Sequence, residues 1–248
     1  MNVLTTDFHT HILPGVDDGS PSIEDSVKML KQERQQGIMT VCLTPHFNAQ
    51  LMYPKEFVAN RNKAMQELCQ ALTDEKDLPK MILGAEVQFC AGMSQWEQLK
   101  QLSLGDTGYI VIEMPHFIWT ESVFRELERI YKEQGLIPII AHIERYINPF
   151  TVKKTLRRLS DLPVLLQCNC NFFTEKRTRR AAFKLLKKQK IHLFGTDCHS
   201  IAWRPILMEK TRSLLLSHAD PQAIALLTKI EEAVLKGEHL IIDNSEIH

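Results

Sequence analysis

Seven short apolar runs punctuate the chain, and between them lie longer stretches whose apolar residues recur every three or four positions. The runs are "NVLTTDFHTH" (2–11), "GIMTVCLTPH" (37–46), "KMILGAEVQF" (80–89), "GYIVIEMP" (108–115), "LIPIIAHIER" (136–145), "LPVLLQCN" (162–169) and "IHLFGTD" (191–197). Runs this short, ended by turn residues, predict strands. The intervening periodicity predicts helices over 22–36, 55–72, 93–101, 120–134, 151–159, 176–189, 203–217 and 221–236. Ser22 stands where a helix cap is expected, and Gly37 and Gly135 stand where helices end. Strands alternating with helices imply parallel βαβ units. An open doubly wound sheet would carry a nucleotide fingerprint, yet neither G-x-G-x-x-G nor G-x-x-x-x-G-K-[ST] occurs. A closed or nearly closed β/α barrel is therefore expected, as one domain over residues 1–248, with no linker or repeat to divide it.

Composition narrows the class without changing that picture. At 248 residues the chain suits a barrel, which typically needs about 250. Thirty basic residues balance thirty acidic ones, so no overall charge points to nucleic acid or a membrane surface. No basic, apolar leader opens the sequence and no apolar run is long enough to span a bilayer, so a cytoplasmic protein without membrane insertion is expected. The six cysteines sit mostly inside apolar stretches without C-x-x-C pairs, reading as reduced packing residues.

The chemistry falls at the carboxyl ends of the predicted strands. His9 and His11 end the first run, His46 the second, and Glu86 and Glu113 the third and fourth. His142 ends the fifth, and Asp197 and His199 end the seventh. Parallel barrels gather their reactive groups at that end. Residues i and i+2 of a strand share a face, so His9 and His11 can converge, with Asp7 behind them. "TDCH" repeats the spacing with Asp197 and His199. Alone, each motif has an ordinary reading: an H-x-H is often structural, and "DDG" (17–19) is usually a turn. Together they would need a separate structural excuse at every strand end, since unpaired buried charge is costly.

A single zinc takes three or four protein ligands, and this set offers about twice that, so more than one ion is expected. Mixed imidazole and carboxylate ligands suit manganese, iron or zinc better than calcium. Clustered divalent ions suit phosphoester hydrolysis. Arg145 in "AHIERY" and Arg204 in "CHSIAWRP" trail presumed ligands by a few positions, and guanidinium forks match phosphate oxygens. His116 in "EMPHF" is a further candidate to line the pocket, and "FNAQLMYPKEF" (47–57) is placed to act as a lid. His192 faces the barrel's opposite end, while His218, His239 and His248 read as solvated.

These motifs, "DFHTHILPGVDDG", "TPH", "GAE", "IVIE", "AHIERY" and "GTDCHS", resemble the polymerase-and-histidinol-phosphatase (PHP) superfamily of metal hydrolases over nearly the whole chain. The nearest branch is the bacterial manganese-dependent protein-tyrosine phosphatases of capsule and exopolysaccharide synthesis. The resemblance implies an α/β fold, a distorted (β/α)7 TIM-like barrel, with three divalent ions, manganese before iron or zinc. On that pattern His9, His11, Glu86 and Asp197 hold one ion. Glu86, Glu113 and His142 share a second, and Asp18, His46 and His199 hold the third. The family pattern selects Asp18 as the ligand and leaves Asp17 as a supporting or turn residue. Arg145 and Arg204 would hold phosphate, and the partner would be the Tyr-rich tail of a bacterial tyrosine kinase. Two rivals keep the fold, a small-molecule phosphatase acting on histidinol phosphate and a nuclease; the basic stretch 175–190 favours the second, zero net charge opposes it. A non-enzymatic metal-binding scaffold would predict lost ligands.

Overall fold

The computed structural model describes residues 3–147 and 152–240. Among the described residues nine strands form, β1 (Thr6–Thr10), β2 (Thr40–Leu43), β3 (His46–Phe47), β4 (Lys80–Leu83), β5 (Glu86–Gln88), β6 (Tyr109–Glu113), β7 (Ile137–Ile140), β8 (Leu165–Asn169) and β9 (Leu193–Gly195). They are the seven expected strands. Pro45 interrupts the second into β2 and β3, and Gly84–Ala85 interrupts the third into β4 and β5.

Every pairing is parallel. One sheet runs β1-β2-β4 and the other β3-β5-β6-β7-β8-β9. The ring closes where β9 meets β1: the Asp197 N–H donates to the His9 carbonyl at 2.9 Å and the His11 N–H to the Cys198 carbonyl at 3.0 Å. This is the expected distorted barrel. Alternation along the strands sorts its residues. Cys42, Val111, Ile137, Ile139, Leu165 and Leu193 turn to a common interior cluster, which Ile230 and Val234 close from one end. Val41, Ile110, Ile112, Ile140 and Phe194 turn outward to the helices.

The helices are α1 (Ile23–Gln35), α2 (Pro54–Ala71), α3 (Glu121–Gln134), α4 (Val152–Ser160), the single turn α5 (Asn171–Thr174), α6 (Arg179–Lys187), α7 (Met208–His218) and α8 (Pro221–Lys236). Ser22 caps α1 by accepting the Asp25 N–H at 3.1 Å, and Gly135 ends α3 at φ +68°. Three expectations shift. The segment 93–101 forms two 3-10 turns, Met93–Gln95 and Leu99–Leu102, because Trp96 leaves helical geometry to set its indole against Phe47 at 6.0 Å. The helix expected at 176–189 begins at Arg179, after an extended Glu175. The one expected at 203–217 begins at Met208, because residues 200–206 form the loop after the last strand. The start at 151 and His248 lie outside the described residues. Among the described residues no helix is long and apolar enough to cross a membrane.

Candidate metal centre

The strand ends deliver their polar side chains to one place, with Glu86 at its middle. Glu86 Oε2 lies 2.9 Å from His46 Nδ1, 3.1 Å from His9 Nε2 and 3.4 Å from His11 Nε2. Glu86 Oε1 lies 2.8 Å from His142 Nε2, which is 3.6 Å from Glu113. Asp197 Oδ1 lies 3.4 Å from His11 Nε2 and 3.5 Å from His199 Nδ1. Asp18 reaches His46 Nε2 at 3.6 Å and His199 Nε2 at 3.5 Å. Among the described residues three subsets bring donor atoms close enough to share a cation: His9, His11 and Glu86; His11, Asp18, His46 and His199; and His46, Glu86 and Glu113.

Local backbone detail sets up this convergence. The register of β1 against β2 slips between Asp7 and Thr10, so Phe8 joins the interior cluster while His9, the next residue, meets the site. Asp7 does not enter the site. Its Oδ1 accepts the N–H groups of His9 (3.1 Å) and Thr196 (3.0 Å), pinning β1 to the chain after β9. A side chain at Gly195 would collide with His9 Cβ at 2.5 Å, and one at Gly19 with the His11 carbonyl at 2.2 Å. His142 (φ +34°), Asp197 (φ +54°) and Arg204 (φ +54°) all take left-handed backbone without being glycine. Such positions cost on the order of 1–3 kcal/mol each and cluster at functional sites.

Asp17 supports rather than joins the cluster. Its Oδ2 accepts from His11 Nδ1 at 2.7 Å and from the His46 N–H at 2.9 Å, and its Oδ1 accepts the Gly19 N–H at 2.9 Å. That leaves His11 Nε2 free to act as a ligand. Burial pushes the Asp17 carboxyl up, but the bonds from His11 and the two amides outweigh it and leave it at about 2. Burial also opposes the charged forms of Glu86 and Asp197, yet the surrounding imidazoles hold both well below the usual carboxylate range. Burial and neighbouring His11 bring His199 down to about 4, which keeps its imidazole neutral at neutral pH. His116 stays exposed at the rim, 5.8 Å from the Tyr146 ring, which is itself 5.8 Å from His142.

Both arginines reach the site. Arg145 donates from Nη2 to Asp197 Oδ2 at 2.5 Å, and Arg204 from Nη1 to Asp197 Oδ1 at 3.2 Å. Between them lies a cleft of about 190 Å³ that Arg177 also lines. Strand β8 holds residues that sequence reasoning passed over. Gln167 Oε1 accepts the His142 N–H at 2.7 Å and lies 3.4 Å from His9 Nδ1, while Asn169 Nδ2 donates to Asp197 at 3.0 Å. Glu144 in turn accepts the Asn169 N–H, and burial pushes its carboxyl up to about 8. The signal was present: "QCN" repeats the two-residue spacing of "HTH".

The donor chemistry fits divalent cations. Glu86 Oε2 and His142 Nδ1 are buried and make no well-formed hydrogen bond, although three imidazole nitrogens crowd the first. Buried polar atoms left in that condition are expected where a cation completes the contacts. A parallel barrel whose strand ends converge histidines and carboxylates beside two arginines has the architecture of a metal-dependent hydrolase.

Comparison with known proteins agrees. The family model described as "Capsular polysaccharide synthesis, CpsB/CapC" matches residues 5–236, and the chain belongs to that family. It is 30% identical to the tyrosine-protein phosphatase YwqE of Bacillus subtilis over 94% of this chain and 92% of that protein. It is 27% identical to the tyrosine-protein phosphatase CpsB of Streptococcus pneumoniae over 84% of this chain and 88% of that one. A solved chain from the crystal structures of YwqE and CpsB, described as metal-dependent tyrosine phosphatases, superposes with a TM-score of 0.82 at 25% identity, covering 95% of this chain and 96% of that one.

Proposed function

We propose that this protein is a metal-dependent protein-tyrosine phosphatase of capsular polysaccharide synthesis, folded as one catalytic domain. Its substrate is a tyrosine-phosphorylated protein, the Tyr-rich tail of a bacterial tyrosine kinase, and it acts in the cytoplasm. The observation that carries the reading is the meeting of His9, His11, His46, Glu86, Glu113, His142, Asp197 and His199 around one buried carboxylate, flanked by Arg145 and Arg204.

In this reading the cofactor is three divalent ions, manganese in preference to iron or zinc. His9, His11, Glu86 and Asp197 would hold one, Glu86, Glu113 and His142 a second, and Asp18, His46 and His199 the third. When bound, such ions supply Lewis acidity toward water and phosphate oxygens. The remaining work belongs to the chain itself. Arg145 and Arg204 place guanidinium groups at the cleft beside Asp197, where they can hold the non-bridging phosphate oxygens. Among the described residues the Arg204 side-chain hydrogen bonds all run through Nη1, leaving Nε and Nη2 for that contact. Asp17, Gln167 and Asn169 orient His11, His142 and Asp197. A tyrosine leaving group has a pKa of about 10, so it departs with less protonation than an alkoxide requires. No thiol competes as nucleophile at the site, since Cys198 is buried and burial pushes its thiol far above neutrality.

The test is phosphate release from a phosphotyrosyl peptide and, in parallel, from histidinol phosphate, each with manganese and after chelation. Chelator-sensitive turnover of the peptide is expected. Preference for histidinol phosphate would change the substrate, and turnover surviving complete metal removal would refute the mechanism.

A further inference from the structure

The eight large apolar side chains exposed among the described residues are not scattered. Six of them leave strand carboxyl ends on the site's face: Leu51 and Tyr53 after β3, Phe117 and Ile118 after β6, and Ile201 and Trp203 after β9. Apolar residues gathered at one mouth mark a binding surface, whereas the same residues dispersed would need no explanation.

Trp203 is the member of this group tied most closely to the chemistry. Its ring stands edge-on to His199 at 5.9 Å, and the Arg204 guanidinium lies over it, 4.6 Å from the ring centroid. The indole is nevertheless 59% exposed. It is held there by a tight turn: the Trp203 N–H donates to Ser200 Oγ at 2.9 Å, and the Ser200 N–H donates to the Trp203 carbonyl at 3.2 Å. Arg204, at φ +54°, follows directly, so one irregular turn positions both the guanidinium and the ring. Arg204 stacks against the indole, yet more than half of the residue's surface stays open to solvent.

We propose that Trp203 is the specificity-determining residue of this site, an aromatic shelf that receives the phenyl ring of a phosphotyrosyl substrate. This rests on the phosphatase reading above and deepens it. A phosphate held by Arg204 beside His199 carries its ester group one bridging oxygen away. An aryl ester then projects its ring alongside the indole, where offset or edge-to-face contact is favourable. A seryl or other alkyl ester has no ring to place there and gains nothing from the shelf. The Arg204 guanidinium stacked on the indole keeps the shelf oriented.

The test compares the manganese-loaded wild type with Trp203→Ala and Trp203→Phe. One arm measures kcat/KM on a phosphotyrosyl peptide and on the phosphoseryl peptide of the same sequence. A second measures inhibition by phenylphosphonate and by methylphosphonate. In Trp203→Ala both aryl-over-alkyl ratios are expected to fall on the order of tenfold, and Trp203→Phe is expected to restore most of each. A structural role for Trp203 would lower both arms together and leave the ratios unmoved. A wild type that prefers the aryl compounds and a Trp203→Ala variant that keeps the same preference would overturn this inference while leaving the phosphatase reading intact. A wild type with no aryl preference would likewise overturn this inference, whereas the phosphatase reading fails only if the phosphotyrosyl peptide shows no chelator-sensitive turnover.

Discussion

Asp17 is the sharpest place to test how the candidate centre is built, because it touches the histidines without belonging to the proposed ligands. Replacing it by asparagine keeps size and shape and changes one oxygen to an amine. The wild-type carboxylate accepts three hydrogen bonds, from His11 Nδ1 and the His46 and Gly19 amides. If the new amide keeps its oxygen at the Oδ2 position, its NH2 faces the Gly19 N–H, donor against donor. If it flips, the NH2 faces His11 Nδ1 and the His46 N–H, and His11 must move its proton to Nε2, where a ligand needs a lone pair. Either way at least one bond to a charged acceptor is lost, worth about 1.5–3 kcal/mol. At about 1.4 kcal/mol per decade this corresponds to roughly 10–150-fold, in line with the 10–100-fold typical of partners that orient metal ligands. The assay is competition for manganese against a chromophoric chelator, followed by turnover at saturating metal. Asp17→Asn is expected to bind the ion 10–100-fold more weakly by that reasoning, with a smaller loss of turnover once saturated. Metal affinity and turnover both within about twofold of wild type would show that Asp17 does not set the His11 tautomer.

Further outcomes follow from the same geometry. Manganese at about 100 times its dissociation constant should raise the stability of the wild type by about 2.7 kcal/mol for each ion bound, visible as a higher melting temperature, and Glu86→Gln should lose most of that rise. Arg145→Lys should lose on the order of tenfold or more in kcat/KM on the phosphotyrosyl peptide, because a lysine cannot span Asp197 and a phosphate with a planar fork; an unchanged value would remove Arg145 from phosphate binding. His192 tests pH dependence away from the site. Its Nδ1 accepts the Leu166 N–H at 2.9 Å, and burial lowers its pKa from 6.5 to about 4. Its contribution to stability is therefore complete above pH 6.5 and is lost as the pH falls toward 4, about 2 kcal/mol by pH 5. Urea unfolding at pH 7.5 and pH 5 should show a smaller drop in His192→Gln than in wild type by about that amount.

The barrel and the residues that reach its mouth were legible because both depend on simple periodicities. Apolar runs of strand length mark the parallel sheet, and a polar residue ending such a run must sit at its rim. What the pattern could not carry was irregularity. The two-residue rule put Asp7 behind His9 and His11 but could not say what it does there, which is to accept the backbone N–H groups of His9 and Thr196 where β1 slips in register. The segment 93–101 read as a helix because its apolar spacing is helical, but Trp96 is extended and meets the Phe47 ring edge to face. Gln167 and Asn169 escaped notice because neutral amides do not stand out as histidines and carboxylates do, although they orient His142 and Asp197.

The seam between β1 and the chain after β9 bears on the order in which the molecule can be made. Asp7 and Thr196, joined there through a carboxylate and an amide, are 189 positions apart in the chain. A nascent chain ending before β9 already carries His9, His11, His46, Glu86, Glu113 and His142, but it has neither Asp197 nor His199 and no strand to close the ring. Contacts of such long range carry a large loop-closure cost and form late. A growing chain can therefore offer only an incomplete set of ligands. Tight capture of the full complement of ions would then act as a signature of finished synthesis, separating completed molecules from truncated ones.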